Sequence, residues 1–299
     1  DIMIVDKEPL GLRGEMLPTL RYLRDRGCRL VLGLRDVMDA ADKLGPEWAA
    51  RDVMGHIDEL YDDIWVYGPE GFWDPLKGLP IPDSVRERMR YLGFLKRSRS
   101  GSPPGIKRPE GQYMLATSGG GGDGARLMSQ ILAAYEHHGD RLMPMLMVLG
   151  PLMPSGERAA FFEQASALPK VSVIEFDNTI EHLIEGASAL IGMCGYNTFC
   201  EVLSFDKPAL IVPRTSPREE QLIRATRASE LGLVDMLLPE QADDAALFAE
   251  HLAGLASRPL PSAMGAGDML SGLQSINNFV SNWAENRPSA DLYTIAGAG

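Results

Sequence analysis

Residues 191–201 combine a glycine turn, two small polar side chains and a carboxylate within eleven positions. Residues 187–191 precede them with the length and apolar character of a buried strand, and residues 199–204 have the pattern of the first turns of a helix. Asn197 and Thr198 can cap that helix, whose first backbone N–H groups are left free. Free N–H groups and the helix dipole favour an anion, so the sequence predicts a phosphate site here.

Glu201 and a run of four glycines add groups that suit a nucleotide. Glu201 follows the glycine turn by about one helical turn, where a carboxylate could accept hydrogen bonds from both hydroxyls of a ribose. Its position alone favours a first-turn acid that complements the helix dipole. The glycines at 119–122 separate a predicted strand from a helix, so their backbone could hold phosphate oxygens, with Arg126 as a nearby cation. A flexible turn and a solvated arginine are the alternatives.

Polar residues also follow three other predicted strands, at the strand ends where parallel α/β sheets bind ligands. In the first third of the chain, such residues could bind a substrate that accepts a transferred group, or could orient a catalytic base. Local ion pairs or helix caps explain these residues equally well. They are Asp6, Lys7, Glu8, Arg35 and Asp36. Residues 213–221 follow a later strand, and an exposed helix start with Pro217 in its first turn is the alternative. All five histidines fall on predicted helices, so none is nominated as the base; His182 lies nearest the turn at Gly195.

The elements that must position these residues alternate between strand and helix. Strands are predicted at residues 2–5, 29–33, 64–67, 113–117, 145–149, 171–175, 187–191 and 209–212. Helices are predicted around residues 15–26, 46–60, 84–89, 125–137, 156–167, 179–185, 219–231 and 271–285. Alternation of this kind indicates parallel strands joined by crossover helices, and hence an α/β protein with two Rossmann-like domains.

A segment rich in proline, glycine and serine divides the alternation into two parts and predicts an interdomain linker. The domains are predicted as 1–97, partial and on the acceptor side; 98–111, the linker; 112–285, the second domain; and 286–299, a flexible tail. The first residue is Asp1 and a buried-type strand follows at once, so we expect the N-terminal domain to be incomplete. The linker is basic and could touch anionic lipid, although a solvated linker is favoured.

Composition limits the classes of protein that fit. The chain has 299 residues, 45% of them hydrophobic, and a formal net charge of −12, which argues against a nucleic-acid-binding protein. Cys28, Cys194 and Cys200 have neither paired nor metal-like spacing, so reduced thiols and a cytoplasmic location are expected. No transmembrane segment, export signal, metal site or bound cofactor is predicted.

Four ordered segments resemble the GT-B nucleotide-sugar glycosyltransferases. Residues 195–201 (Gly-Tyr-Asn-Thr-Phe-Cys-Glu), the strand 207–213 and Glu220-Gln221 are similar to that family's His-Cys-Gly-Trp-Asn-Ser-x-x-Glu, its Pro-flanked strand and its Asp-Gln or Gln-Gln pair. Residues 121–130 resemble the Gly-Ser-Gln-Gly-Ala-Arg-x-x-Asn-Gln segment of the N-acetylglucosaminyl transferases that form lipid II, and residues 175–178 resemble their Glu-Phe-Ile-Asp. The resemblance covers residues 112–285, with a weaker match at 91–95.

The resemblance implies roles for individual residues. Glu201 would bind the ribose, Phe176 would lie where the family's backbone recognises the base, and Glu220 and Gln221 would meet hydroxyls of the donor sugar. The diphosphate would be surrounded by Gly120, Gly121, Gly122, Gly195, Tyr196 and Asn197, and Thr198 would also belong to the donor site. Met193 stands where some members have a phosphate-binding histidine, so backbone donors, with Arg126 or Arg218, would have to serve instead.

The resemblance further implies an enzyme that transfers a sugar, hexose or N-acetylhexosamine, from a UDP-sugar or related donor to a hydroxyl acceptor, without a metal ion. A nucleotide-sugar hydrolase or epimerase would use the same donor site, and so would a non-catalytic nucleotide-sugar-binding protein. The family's base comes from the N-terminal domain, in a loop expected to precede Asp1. The sugar, the base, the acceptor, the stereochemical course and the oligomeric state are left open.

Overall fold

Two parallel β-sheets form the framework of the protein in the computed structural model, which describes residues 1–99, 101, 105, 109–120 and 122–286. The N-terminal sheet has the order β1-β2-β3-β4, with β1 (Ile2–Asp6), β2 (Arg29–Arg35), β3 (Asp63–Tyr67) and β4 (Met89–Tyr91). The C-terminal sheet has the order β10-β9-β8-β5-β6-β7, with β5 (Met114–Thr117), β6 (Met145–Val148), β7 (Val171–Ile174), β8 (Ala189–Gly192), β9 (Ala209–Ile211) and β10 (Asp235–Met236). The predicted α/β class with parallel sheets is confirmed.

Twelve α-helices accompany these strands in the described part of the chain. They are α1 (Leu17–Arg24), α2 (Ala41–Ala49), α3 (Val53–Leu60), α4 (Asp83–Glu87), α5 (Ala125–His138), α6 (Ser155–Ser166), α7 (Ile180–Gly186), α8 (Tyr196–Ser204), α9 (Glu220–Glu230), α10 (Pro239–Ala242), α11 (Ala245–Leu255) and α12 (Gly272–Glu285). Within the described ranges, no helix has both the length and the apolar composition needed to cross a bilayer.

The central strands are short apolar runs because helices cover the C-terminal sheet on both faces. All four residues of β5, β6 and β8 are buried. The apolar side chains of α5 pack with α11 in one buried cluster with strand residues of this sheet, where Ile131 and Phe248 are fully buried. Burial on both faces explains why these strands lack the apolar and polar alternation of a half-exposed sheet. For such strands, the length of the apolar run predicts the strand better than alternation does.

Three parts of the secondary structure differ from the prediction. The single helix expected at 46–60 is interrupted by Asp52, whose φ of +47° is left-handed, so the segment forms α2 and α3. Residues 89–91 form the edge strand β4 rather than the end of a helix. No helix bounds were predicted for the region 232–270, although His251 was expected on a helix; the region contains α11, which begins where the Asp244 side chain accepts hydrogen bonds from the N–H groups of Ala246 and Leu247.

The C-terminal sheet changes direction between β5 and β8. From β5 the chain adds β6 and β7 on one side, and from β8 it adds β9 and β10 on the other. Met114 pairs with Ala189 and Ala116 with Ile191, so the loops after these two strands leave the sheet side by side. The crevice at such a switch point is where open α/β sheets bind ligands. Both predicted glycine turns begin here.

The two halves share a buried core and a set of polar contacts. Phe72 and Phe94 of the first half pack on Phe199 of α8, with ring centroids 5.6 and 5.2 Å apart. The helix α12 extends back to the N-terminal sheet, where Phe279 lies 6.0 Å from Trp65. The halves are therefore held together around the strand ends that form the cleft.

Part of the predicted linker and nearly all of the predicted tail lie outside the described residues. In the described part of the connection, the backbone N–H of Arg97 donates to Ser204 Oγ at 2.9 Å. Arg97 and Arg99 approach Glu181 and Glu185 of α7, at 3.8 and 2.9 Å. Two basic side chains of the described part of the connection are thus paired with acids of α7.

Candidate nucleotide-binding site

A cavity of about 350 Å³ lies at the switch point between β5 and β8 and is referred to below as the central cavity. Its lining comes from both halves of the chain: Arg35, Thr117, Gly119, Gly120, Val148, Phe176, Asp177, Ile180, Gly195, Tyr196, Asn197, Thr198 and Glu201. Seven predicted donor-binding residues are therefore brought together, namely Gly120, Phe176, Gly195, Tyr196, Asn197, Thr198 and Glu201. Two further lining residues, Thr117 and Val148, are the last residues of β5 and β6. They could have been identified from the tendency of parallel α/β sheets to bind ligands at the carboxyl ends of their strands.

The N-terminus of α8 opens onto this cavity. Gly195 is the N-cap residue and no side chain caps the helix. Asn197 and Thr198 lie within the first turn instead of capping it, which corrects the prediction that the helix begins near residue 199. A Cβ at Gly195 would meet no atom within 4 Å, so glycine leaves open space beside the uncapped N–H groups. This geometry suits an anion held by backbone donors.

The glycine loop after β5 forms the opposite wall. Gly119 has a φ of +65°, which strains any residue with a Cβ, and its N–H donates to Thr117 Oγ1 at 3.1 Å. Gly120 accepts a hydrogen bond from the N–H of Leu152 at 2.9 Å. Gly121 lies outside the described residues, and Gly122 does not line the central cavity. Among the described glycines of this loop, the predicted Gly120 and the unpredicted Gly119 line the cavity.

Glu201 places an unpaired carboxylate in the cavity wall. The residue is 8% exposed, and no donor among the described residues hydrogen bonds to its side chain. Burial raises the pKa of Glu201 to about 7; the charge of Arg97 lowers it and that of Glu181 raises it. A buried carboxylate without a partner is costly unless a ligand supplies donors, and two adjacent hydroxyls would do so.

The loop after β7 supplies an aromatic ring and a second buried acid. Phe176 is 52% exposed on the cavity wall, as an aromatic ring available for stacking. Asp177 is 6% exposed and its Oδ1 accepts from both the N–H and the hydroxyl of Thr179, at 2.7 and 2.8 Å. Asp177 therefore fixes the loop that presents Phe176.

The candidates from the first third separate into different environments. Arg35 lines the central cavity, and its guanidinium pairs with Asp6, Nη2 to Oδ2 at 2.8 Å. Asp36, predicted to face the cleft, is instead fully buried and paired with Arg224 at 2.8 Å. Arg35 is the last residue of β2 and Asp36 lies just beyond it, so the two neighbouring side chains enter different environments. Glu8 is partly buried but does not line the cavity.

Four other predicted residues do not line the central cavity, namely Arg126, Arg218, Glu220 and Gln221. Arg126 pairs with Asp243 at 2.6 Å and approaches Glu240 at 3.4 Å, beside a separate cavity that also contains Met193. Arg218 pairs with Asp39 and Glu47 of the first half, at 3.1 and 2.6 Å.

Glu220 and Gln221 both bind Arg214, a residue that sequence reasoning did not single out. Glu220 Oε1 accepts from Arg214 Nη2 at 2.5 Å, and Gln221 Oε1 accepts from the Arg214 backbone N–H at 3.0 Å. Arg214 also pairs with Asp123 of the glycine loop at 2.5 Å. These contacts connect the loop after β9 to the loop after β5. His182 belongs to α7 and does not line the central cavity.

Metal-ligating side chains are not grouped in the described part of the chain. No set of three or more His, Cys, Asp or Glu residues there is arranged to hold an ion. The chemistry available to the central cavity is thus that of backbone N–H donors, the Glu201 carboxylate, the Arg35 guanidinium and the Phe176 ring.

Comparison with known proteins identifies the same region. The glycosyltransferase family 28 C-terminal domain matches residues 119–276, which is more than half of the chain and contains both glycine turns and Glu201. No curated protein sequence is significantly similar.

Solved structures of glycosyltransferases share the fold. CalG4, the calicheamicin glycosyltransferase, is 16% identical with a TM-score of 0.60, over 96% of this chain and 74% of its own. The spinosyn rhamnosyltransferase SpnG complexed with thymidine diphosphate is 18% identical with a TM-score of 0.60, over 95% and 73%. Phytolacca americana UGT2, complexed with UDP-2-fluoro-glucose and pterostilbene, is 15% identical with a TM-score of 0.60, over 94% and 76%. The two-sheet arrangement is thus the GT-B fold.

Proposed function

Since this chain belongs to glycosyltransferase family 28, we propose that it transfers a sugar from a nucleoside diphosphate, foremost UDP, to a hydroxyl acceptor. The observation that carries the proposal is the pairing, on one cavity, of the uncapped N-terminus of α8 with the unpartnered Glu201 carboxylate. A ribonucleoside diphosphate such as UDP carries the two complementary groups, the diphosphate anion and the vicinal diol of the ribose, joined by a short linkage. A ligand with only the anion, or only the diol, would use only one of the two cavity walls.

The ribose would bind to Glu201. Its carboxylate can accept two hydrogen bonds, one from each hydroxyl, and ionised carboxylates make stronger hydrogen bonds than neutral acceptors. The base would lie towards Phe176, whose exposed ring offers a stacking face on the same cavity. Glu201 is only 8% exposed, so few water molecules would compete for its oxygens.

The diphosphate would bind between Gly120 and the first N–H groups of α8. In the transfer step, the acceptor oxygen bonds to the anomeric carbon, the bond from that carbon to the β-phosphate oxygen breaks, and its electron pair stays on the diphosphate. The acceptor proton passes to a base, for which Asp6, whose partner Arg35 lines the cavity, is the candidate of the first third. Fixed N–H donors stabilise the leaving diphosphate more as its charge grows, which lowers the barrier without a metal ion.

The donor sugar would reach towards Gln221. Its Oε1 is held by the Arg214 backbone, while its amide N–H groups have no partner among the described residues and are free to donate to sugar hydroxyls. Resemblance to the lipid II-forming transferases makes UDP-N-acetylglucosamine the first donor to test, with UDP-glucose and dTDP-glucose next. The dTDP-sugar is included because one structural relative is complexed with thymidine diphosphate.

Calorimetric titration tests the proposal directly. The chain is titrated in metal-free buffer with UDP, UDP-N-acetylglucosamine, UDP-glucose, dTDP-glucose and ADP, and so are two variants. Glu201→Ala should weaken binding by about 1–3 kcal/mol, the worth of hydrogen bonds to a charged group. Glu163→Ala is the matched control, since Glu163 is an exposed acid on α6 away from the cavity.

Each outcome bears on a different part of the proposal. Selective binding of a nucleotide that is lost in Glu201→Ala and kept in Glu163→Ala supports the donor site. A folded chain that binds none of the five compounds contradicts it. Release of free sugar from a bound donor, with no transfer to any hydroxyl acceptor, would replace transferase by nucleotide-sugar hydrolase.

A further inference from the structure

The mouth of the central cavity carries an ion pair from the first half of the chain. Arg35 ends β2 and Asp6 ends the neighbouring strand β1, so the two side chains leave the N-terminal sheet together. Arg35 Nε and Nη2 donate to Asp6 Oδ1 and Oδ2, at 3.3 and 2.8 Å. No described residue accepts from Arg35 Nη1. The Asp6 side chain is 53% exposed, so solvent screens its attraction for the guanidinium.

The same guanidinium lies over the start of α8. Its central carbon is 4.6 Å from the ring centroid of Tyr196, the first residue of that helix. Stacking on an aromatic ring fixes the plane of the guanidinium while leaving its edges free to donate hydrogen bonds. Arg35 therefore brings a positive charge from the first half to the uncapped N–H groups of the second.

Four other arginines near the cleft are more fully compensated. Arg126, Arg214 and Arg218 each have two acidic partners, and Arg224 is fully buried against Asp36. Among the described residues that line the central cavity, Arg35 is the one with a cationic side chain. A diphosphate in a cavity that also contains the Glu201 carboxylate needs a counter-charge, and Met193 supplies none.

We propose that Arg35 is the counter-ion of the donor diphosphate, held by Asp6 until the nucleotide binds. The inference rests on the proposed function and adds to it a residue of the first half that contacts the donor. Arg35 would donate a charge-assisted hydrogen bond from Nη1 to a phosphate oxygen, and release of Nη2 from Asp6 would allow a second, which is the fork geometry that favours arginine over lysine at phosphates. Asp6 would compete with the phosphate for the same guanidinium.

Titration of variants with two probes, UDP and uridine, tests this role. Arg35→Gln should weaken UDP binding about tenfold or more, as expected for loss of a charge-assisted hydrogen bond, and leave uridine binding unchanged. Asp6→Asn should do the opposite and strengthen UDP binding by about two- to fivefold, because an exposed competing carboxylate is removed. A purely structural ion pair would make both variants weaker.

Arg29→Gln is the matched control. Arg29 lies at the other end of the same strand, pairs with Asp63 at 2.5 Å and does not line the central cavity. It should bind both probes as the wild type does. UDP binding by Arg35→Gln within twofold of a wild-type chain that does bind UDP overturns the role of Arg35 alone. A wild-type chain that binds neither UDP nor a UDP-sugar overturns the proposed function, and this inference with it.

Discussion

The contact between the two halves and the central cavity both bury a carboxylate, but they compensate its charge differently. At the contact, Asp36 receives hydrogen bonds from Arg224 Nε at 2.8 Å and from Nη2 at 2.8 Å, and Nη1 donates to the carbonyl of Cys194 at 2.9 Å. In the cavity, Glu201 has no such partner within the described residues. The first arrangement is complete without a ligand and the second is not.

The pKa shifts reflect this difference. Burial opposes the charge of Arg224, but the Asp36 carboxylate more than offsets it, so the pKa of Arg224 is raised. Burial raises the pKa of Glu201 to about 7 because the partly exposed Arg97 offsets it only in part. Satisfied charges hold the halves together, and an unsatisfied charge marks where a ligand is expected.

Removal of one partner of the buried pair should have the largest effect. Arg224→Met leaves the Asp36 carboxylate buried and unpaired, which should cost about 3–5 kcal/mol of the free energy of unfolding. Urea denaturation measures it. In the control, Asp36→Leu combined with Arg224→Met removes both charges and should recover most of the loss. If Arg224→Met alone unfolds with a free energy within about 1 kcal/mol of the wild-type value, which is the effect of an ordinary substitution, the proposed difference between the two buried carboxylates is wrong.

Glu201 should behave in the opposite way when its charge is removed. Its pKa is raised from 4.5 in the unfolded chain to about 7, so the folded state holds the proton more tightly and loses stability as the pH rises from 4.5 through 7. Glu201→Gln stays neutral and should be more stable than the wild type at pH 8, by about 1–3 kcal/mol. Below pH 4.5 the two should be equal.

Nucleotide affinity should follow the same titration. The ionised carboxylate accepts hydrogen bonds from ribose hydroxyls better than the protonated form does, so UDP affinity of the wild type should rise between pH 6 and 8. Glu201→Gln should bind more weakly and lose that pH dependence. Calorimetry at three pH values and urea titrations of both proteins check these outcomes. If Glu201→Gln is less stable than the wild type and binds UDP with unchanged affinity, the role of Glu201 is structural.

Gly195→Ala tests whether the open space beside this glycine is needed for ligand binding and not for folding. Its φ of −58° suits any residue and the added Cβ meets no protein atom within 4 Å, so stability should change little. The methyl group would occupy space beside the α8 N–H groups and weaken UDP binding by about 1–2 kcal/mol, the worth of a hydrogen bond held at poorer distance. Gly254→Ala, at a helical glycine with equally open surroundings on α11, is the control and should bind UDP normally.

Sequence predicted most of the fold and the second-domain side of the cavity because both follow local rules. Strand length and alternation located all but two short edge strands, and motifs placed Gly195 and Glu201 beside the same crevice. The helix α11 was missed because its mostly apolar sequence lacks a clear polar face. Asp52 was missed because a left-handed residue between two helical segments leaves no reliable mark on a single sequence.

Sequence could not separate Arg35 from Asp36, since charged residues at strand ends all look alike. Which of them reaches the cavity depends on the face to which each side chain points and on the packing of α9, a contact between residues 188 positions apart. The same limit applies to Arg126 and Arg218, whose acidic partners come from distant segments. Long-range charge compensation is a tertiary property that spacing does not encode.

The smallest effect is expected at an exposed ion pair between the connecting segment and α7. Arg99 and Glu185 lie 2.9 Å apart, but their side chains are 55% and 49% exposed. Water screens such a pair and ordering its long side chains opposes it, so Arg99→Gln should change the free energy of unfolding by less than about 1 kcal/mol. Urea denaturation at low and high salt measures it, and a larger, salt-sensitive loss would show that the connection stabilises the contact between the halves. With the large cost at Arg224, a near-zero result would establish that burial of a compensated charge, rather than the mere presence of ion pairs, holds the two halves together.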